Sequence, residues 1–265
     1  AETVDNLEEV VKIAMVGKYT GLSDSYLSVI KALQHSSFEV NRKLQINWIE
    51  AENLDEKIKQ ENYEKYTEAW NSLKDSDGIL VPGGFGIRGI EGKIKAAEYA
   101  RVNKIPYLGV CLGLQIATIE FCRNVLGMKD ANSTEFDEDT SQPAVVFMPE
   151  ISKTHMGGTM RLGTKPTPFL VEDCKIKRLY GNQSHVDERH RHRYEVNPEL
   201  ISKIESAGLM YVGKDETGQR CEIFELDNHP YYVGVQFHPE FKSRPGRPSP
   251  PFLGLLMASA GKKIS

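Results

Sequence analysis

Three short segments of this chain hold residue types that can act together on a carbonyl carbon. The first is Pro106-Tyr-Leu-Gly-Val-Cys-Leu-Gly-Leu-Gln115, in which Cys111 stands between Gly109 and Gly113 after one apolar run and before another. A cysteine on a sharp strand-to-helix turn exposes its sulfur, as the serine does in the G-x-S-x-G elbow of hydrolases. The positive end of the following helix and its unpaired N–H groups favour a thiolate and stabilise an adjacent oxyanion. A small buried cysteine in a tight turn would satisfy the same five residues, so the elbow alone does not decide. The second segment is His238-Pro239-Glu240, directly after an apolar run that ends at Gln236. The imidazole can take the thiol proton, and the carboxylate beyond the proline can hold the ring. The histidines at 35, 155, 185, 190, 192 and 229 lack such a setting. The third segment is Pro82-Gly83-Gly84-Phe85-Gly86, whose glycines let backbone N–H groups approach a reacting carbonyl closely. It matches neither a P-loop nor a dinucleotide-binding glycine pattern. Together the segments suit nucleophilic acyl transfer.

These segments are far apart in sequence and need a scaffold that gathers them. Val10–Val16 reads as a buried strand, and Tyr26, Val29, Ile30 and Leu33 then follow at helical spacing behind an N-cap at Ser23. Leu44–Ile49 is a second strand, residues 53–74 are mostly helical, and Gly78–Val81 is a third strand ending at the glycine-rich segment. A helix over Ile90–Val102, a strand over Ile105–Val110 and a helix over Leu112–Leu126 complete the first half. This alternation predicts an α/β fold: right-handed crossovers and a mostly parallel central sheet with helices on both faces. Ligands of such sheets gather beyond the carboxyl ends of the strands, where Cys111 falls.

The second half is less regular. The acidic stretch 129–142 reads as a solvated loop and Ala144–Met148 as a strand. Met156–Leu162 is predicted to be a flexible turn feeding a strand, and Arg189–Val196 another strand. A helix over Pro198–Ala207 precedes short strands at Leu209–Gly213, Cys221–Leu226 and Tyr231–Gln236, expected as antiparallel additions to the sheet. A proline-rich loop, 243–251, leads into a closing helix.

Composition narrows the function. At 265 residues, 40% apolar and 26% charged, the chain reads as a single globular domain with a sizeable core. Lys and Arg (33) against Asp and Glu (37) leave a net charge of −4, which offers no basic field for nucleic acid. No apolar run approaches the length of a membrane span, and the first thirty residues carry no secretion signal, so a cytoplasmic location is expected. Cys111, Cys122, Cys174 and Cys221 are too few and too scattered for a disulfide framework or a zinc site. Reduced thiols and no metal are the expectation.

The joint presence of "PGGFG", "GVCLGLQ" and "HPE", in that order, resembles the glutaminase domains of class I glutamine amidotransferases. The segments "VGKYTGLSDSYLSVIKAL", "PGGFGIRGIEGKI", "STEFDEDT", "GGTMRLG", "RHRHRYEVNP" and "GVQFHPEFKSRP" are further similar to the carboxyl-terminal domain of the CTP synthase family, nearest to its animal members. The resemblance implies that Cys111 attacks the glutamine side-chain amide, that His238 shuttles the proton, and that Glu240 orients His238. It implies an oxyanion hole from Gly84 and the amide of Leu112, and substrate contacts at Gln115, Glu135, Arg193 and Tyr194. From the residues alone, Glu135 is a loop acid and Arg193 a solvated charge. The resemblance also links Phe85, and Arg161 within a lid at 155–163, to activation by GTP, although a fixed hairpin would suit those residues as well. It implies no cofactor in this domain. ATP, Mg and UTP would serve an amino-terminal synthase domain that has no counterpart in these residues, and GTP would act as allosteric activator. The implied partners are glutamine, the synthase domain in cis, and further copies in a homo-oligomer, a tetramer. Two other readings remain open here: another cysteine α/β hydrolase such as a γ-glutamyl hydrolase, and a non-catalytic regulatory module of the same fold.

Overall fold

Strand β1 (Val10–Gly17) is buried along most of its length, as a strand covered on both faces must be. Its Ala14 and Val16 enter one apolar core, while Val11, Ile13 and Met15 enter a second on the opposite side. The structure is a computed structural model that describes residues 9–19, 26–84, 87–149 and 160–265. The N-cap expected at Ser23 lies outside the described residues.

Helix α1 (Leu27–Glu39) leads to β2 (Lys43–Glu50), followed by the short α2 (Glu56–Glu61) and by α3 (Tyr63–Lys74). Asp55 and Asn62 cap α2 and α3 by accepting hydrogen bonds from Lys57 N and Lys65 N, which breaks the predicted helical stretch in two. Then come β3 (Gly78–Val81), α4 (Ile90–Val102), β4 (Tyr107–Val110) and α5 (Leu112–Asn124). Buried residues of α3, α4 and α5 fill one core, and those of α1 fill the other.

In the second half, β5 (Ala131–Ser133) and β6 (Gln142–Phe147) pair in parallel, so the acidic stretch read as a loop contains a short buried strand. Strand β7 (Arg161–Pro168) pairs antiparallel with β8 (His185–His192) across the short helix α6 (Lys175–Leu179). Strand β9 (Tyr194–Val196) joins β6. The single strand predicted over Arg189–Val196 is thus divided at Arg193, and its halves enter different sheets. Helix α7 (Ile201–Ser206), strands β10 (Leu209–Lys214), β11 (Cys221–Leu226) and β12 (Tyr232–Val235), and helix α8 (Pro250–Ser259) close the chain.

The central sheet has the order β10-β11-β12-β4-β3-β1-β2. Strand β12 is parallel to β4, and β11 alone runs against the rest. The antiparallel additions expected at all three late strands therefore reduce to one. Two successive hairpins reverse the chain twice, which restores the common direction in β12. The register Val110↔Val235 sets the carboxyl ends of β4 and β12 side by side. No helix among the described residues is long and apolar enough to cross a membrane.

Candidate active site

Cys111 occupies the step between β4 and α5 with φ 54°, in the left-handed region that a non-glycine residue enters at a cost of roughly 1–3 kcal/mol. A rigid frame holds it there. A Cβ on Gly109 would lie 2.5 Å from the backbone of Gly113, and a Cβ on Gly113 would lie 2.2 Å from the carbonyl oxygen of Val81. Both positions must be glycine for strand and helix to approach this closely. The Cys111 N–H donates to the carbonyl of Val235 at 2.7 Å, tying the elbow to β12. The side chain lies at the amino-terminal end of α5, where the helix dipole favours negative charge.

The chain leaving β12 brings in the base. The N–H of His238 donates to the carbonyl of Arg189 at 2.8 Å, and its Nδ1 pairs with Glu240 Oε1 at 2.8 Å. A turn over Pro239–Lys242 sets Glu240, which is buried. With Nδ1 engaged, Nε2 is left for the sulfur. Burial works against the imidazolium, but the hydrogen-bonded Cys111 and then Glu240 outweigh it and push the His238 pKa up to about 10. The arrangement favours an imidazolium beside the Cys111 sulfur.

A cleft of about 240 Å³ opens in front of Cys111. The six residues anticipated as substrate contacts, Gly84, Leu112, Gln115, Glu135, Arg193 and Tyr194, all line it. Met160, Arg191 and His192 line it as well and were not anticipated. The space beside Gly84 is open, with no atom within 4 Å of where a Cβ would stand. Gln115 Nε2 donates to the carbonyl of Tyr194 at 2.8 Å. Glu135 stands at the exposed rim, where partial burial raises its carboxyl pKa and the charge of Arg193 draws it back down. A thiol beside an imidazole at the floor and opposite charges at the mouth can receive a small zwitterion carrying a carbonyl.

Residues 22–258 match the family described as "Glutamine amidotransferase class-I". The chain belongs to this family. It is 60% identical over 261 residues to CTP synthase 1 of Saccharomyces cerevisiae and 56% identical over 262 residues to CTP synthase 2 of Xenopus laevis, covering 97% and 99% of its own length. It spans only 45% of the length of each of those relatives. Among solved structures, the glutaminase domain of Trypanosoma brucei CTPS with bound acivicin is similar at a TM-score of 0.86 and 38% identity, covering 97% of this chain and 98% of that one. A glutamine amidotransferase from Thermotoga maritima, at 13% identity and a TM-score of 0.52, shares the fold.

One described part of this amidotransferase differs from what its sequence suggested. Phe85 and residues 155–159 of the anticipated lid lie outside the described residues. The flexible turn expected to reach Leu162 instead gives way to β7 at Arg161, which faces His192 in register on β8. Arg161 is 6% exposed, its guanidinium 3.6 Å from Glu222 Oε1. Antiparallel pairing along the entire strand holds this position.

Beneath the cleft lies a buried polar cluster that sequence reasoning missed. The inward face of β8 carries Glu188, His190 and His192. His190 Nδ1 is 3.3 Å from Glu222 Oε2, and His192 Nε2 is 2.7 Å from Glu195 Oε1, while Glu195 Oε2 pairs with Arg220. Burial and neighbouring cationic groups push the His190 pKa down to about 2, so the ring is neutral. Burial and Glu195 push Glu222 well above the usual carboxylate range. His190, His192 and Glu222 have the mutual spacing of metal ligands, but the Arg161 guanidinium already supplies positive charge at Glu222. Polar residues on both faces of "HVDERHRH" conceal the alternation that a half-buried strand normally shows.

Proposed function

We propose that this chain hydrolyses the side-chain amide of glutamine through a thioester on Cys111. The supporting observation is the imidazole of His238, hydrogen-bonded to both Cys111 and Glu240, at the floor of a cleft whose mouth carries Glu135 and Arg193. The thiolate attacks the amide carbon, and the new C–S bond pushes charge onto oxygen. The N–H groups of Gly84 and Leu112 receive that oxyanion. Collapse breaks the C–N bond while imidazolium gives its proton to the departing nitrogen, releasing ammonia. Neutral His238 then takes a proton from water, the hydroxide adds to the thioester, and collapse expels the thiolate and frees glutamate. Glu240 holds the ring through both proton transfers. Arg193 offers a bidentate fork to the substrate α-carboxylate, Glu135 a countercharge to its α-ammonium, and Gln115 and Tyr194 line the space between.

In the longer protein, which the coverage of the curated relatives supports, the ammonia would pass to a synthase domain in cis that aminates UTP to CTP with ATP and Mg. GTP would activate the glutaminase through the segments that carry Phe85 and Arg161, and the assembly would be a tetramer in the cytoplasm. The test is incubation of the chain with glutamine, with glutamate and ammonia measured, beside Cys111→Ala. Unchanged glutamine together with cleavage of γ-glutamyl peptides would replace this reading with that of a γ-glutamyl hydrolase.

A further inference from the structure

Gln236, at the end of β12, is fully buried beside the nucleophile and has no role in the scheme above. Its Nε2 lies 3.6 Å from Cys111 Sγ, and its Oε1 lies 3.2 Å from Gln115 Nε2. The orientation of both amides follows from one fixed group. The carbonyl of Tyr194 can only accept, so the Gln115 atom 2.8 Å from it is the NH2 group. That NH2 can only donate, so the Gln236 atom facing it is the oxygen. The remaining Gln236 NH2 therefore points at sulfur. The backbone N–H of Gln236 donates to the carbonyl of Glu222 at 2.8 Å, which anchors the residue from the adjacent strand.

We propose that Gln236 is a further catalytic residue of the thioester reaction, donating a hydrogen bond from its side-chain amide to the Cys111 thiolate. The assignment of a reaction step rests on the function proposed above, whereas the contact with sulfur does not. Two donors then meet the sulfur, and they differ in kind. Imidazolium can surrender its proton to the departing ammonia, but an amide cannot protonate sulfur or nitrogen near neutral pH. Gln236 thus keeps the thiolate charged and oriented while His238 is occupied by the leaving group. Its contribution is greatest in the second half of the reaction, when the C–S bond breaks and its electron pair returns to sulfur. A donor already in place stabilises that developing thiolate without waiting for solvent to reorganise. Since Gln115 lines the substrate cleft, the relay from Tyr194 through Gln115 to Gln236 also ties the substrate contacts to the orientation of the sulfur.

The test compares Gln236→Glu, which keeps the shape but replaces the donor, and Gln236→Met, which keeps the volume, with the unaltered chain. The charged or titratable groups around Cys111 are His238 and Glu240 after β12, Arg191, His192 and Arg193 at the β8–β9 junction, and Glu135 after β5, and neither substitution removes any of them. Iodoacetamide alkylation of Cys111 across pH should move to higher pH by about one unit, the shift expected from losing a hydrogen bond to a charged group. Glutaminase kcat should fall about 10- to 100-fold, with acyl-enzyme accumulating, and KM should change less. In the unaltered chain, the Gln236 side-chain amide protons should shift by NMR with the same midpoint as Cys111 alkylation. That measurement needs no variant to fold and no glutamine turnover. An alkylation profile unchanged in folded variants, or amide resonances indifferent to the state of Cys111, would overturn the proposal. Loss of glutamine hydrolysis in the unaltered chain, with the thiol titration as expected, would overturn only the proposed function.

Discussion

The Cε1 edge of His238 fills the space that a side chain on Gly83 would need: a Cβ there would stand 2.8 Å from that carbon and 3.4 Å from the Cβ of Cys111. The loop after β3 therefore backs both Cys111 and His238. Gly83→Ala should displace the imidazole, and a misplacement near 1 Å lowers kcat by about 100-fold. Steady-state kinetics beside a thermal melt would check this. An alanine variant with the parent rate would show that the ring has room to spare.

Glu240 sustains the charge on His238, so Glu240→Gln should lower the imidazole pKa from its value of about 10. The sign for stability follows from a folded pKa above the unfolded one near 6.5: the contribution is complete below pH ~6.5 and fades as pH rises through 10. In the variant it should fade at lower pH. Activity should drop by about 100-fold, less than for Cys111→Ala. Ring titration by NMR and the two rates settle it, and a deeper loss in Glu240→Gln than in Cys111→Ala would reverse the roles.

Selective labelling follows from burial. Burial pushes the Cys122 thiol up to about 12 and that of Cys174 up to about 11, and it raises Cys221 further still. A diazo-ketone analogue of glutamine at neutral pH should modify Cys111 alone, as read by mass spectrometry. Cys174 is the most accessible of the other three, so its labelling ahead of Cys111 is the result that would count against the site.

Arg193→Ala should raise KM for glutamine by about 10- to 100-fold, the value of one charge-assisted hydrogen bond, while kcat stays within a few-fold. A fall in kcat at constant KM would place Arg193 in the transition state instead.

The chain by itself should turn over glutamine slowly and gain little from GTP, because the remaining length of its relatives would supply part of the responsive surface. Rates with and without GTP, set beside a full-length relative, measure that dependence. Equal stimulation in both would place the whole GTP response within these residues.

How much of this was legible depended on how each segment is buried. The predicted spans Gly78–Val81 and Ile90–Val102 coincide with β3 and α4, since a strand covered on both faces is an unbroken apolar run and α4 begins and ends at clear boundaries, while Cys221–Leu226 coincides with β11 although Glu222 and Glu225 interrupt its apolar residues. A strand was expected after the turn at Met156–Leu162, but the extent of β7 was hidden because Pro166 and Pro168 lie within it, which only a strand with a free edge tolerates. The direction of β12 depends on pairing with β4, a long-range relationship that no local pattern encodes. In the site, Cys111, His238 and Glu240 could be read from local motifs. The Gln115–Gln236 contact could not, for two uncharged amides have no signature until the fold brings them to 3.2 Å.

The place of β12 in the sheet also governs when the site can exist during synthesis. Among the described strands it is the last in sequence, yet it sits between β11 and β4 rather than at an edge. A nascent chain that stops short of it holds the cysteine without a base and leaves the side of β4 unpaired, an exposed template for other strands. Insertion of β12 closes that gap and delivers His238 in the same event. The step that pairs the open side of β4 is thus also the one that sets the imidazole beside the Cys111 sulfur.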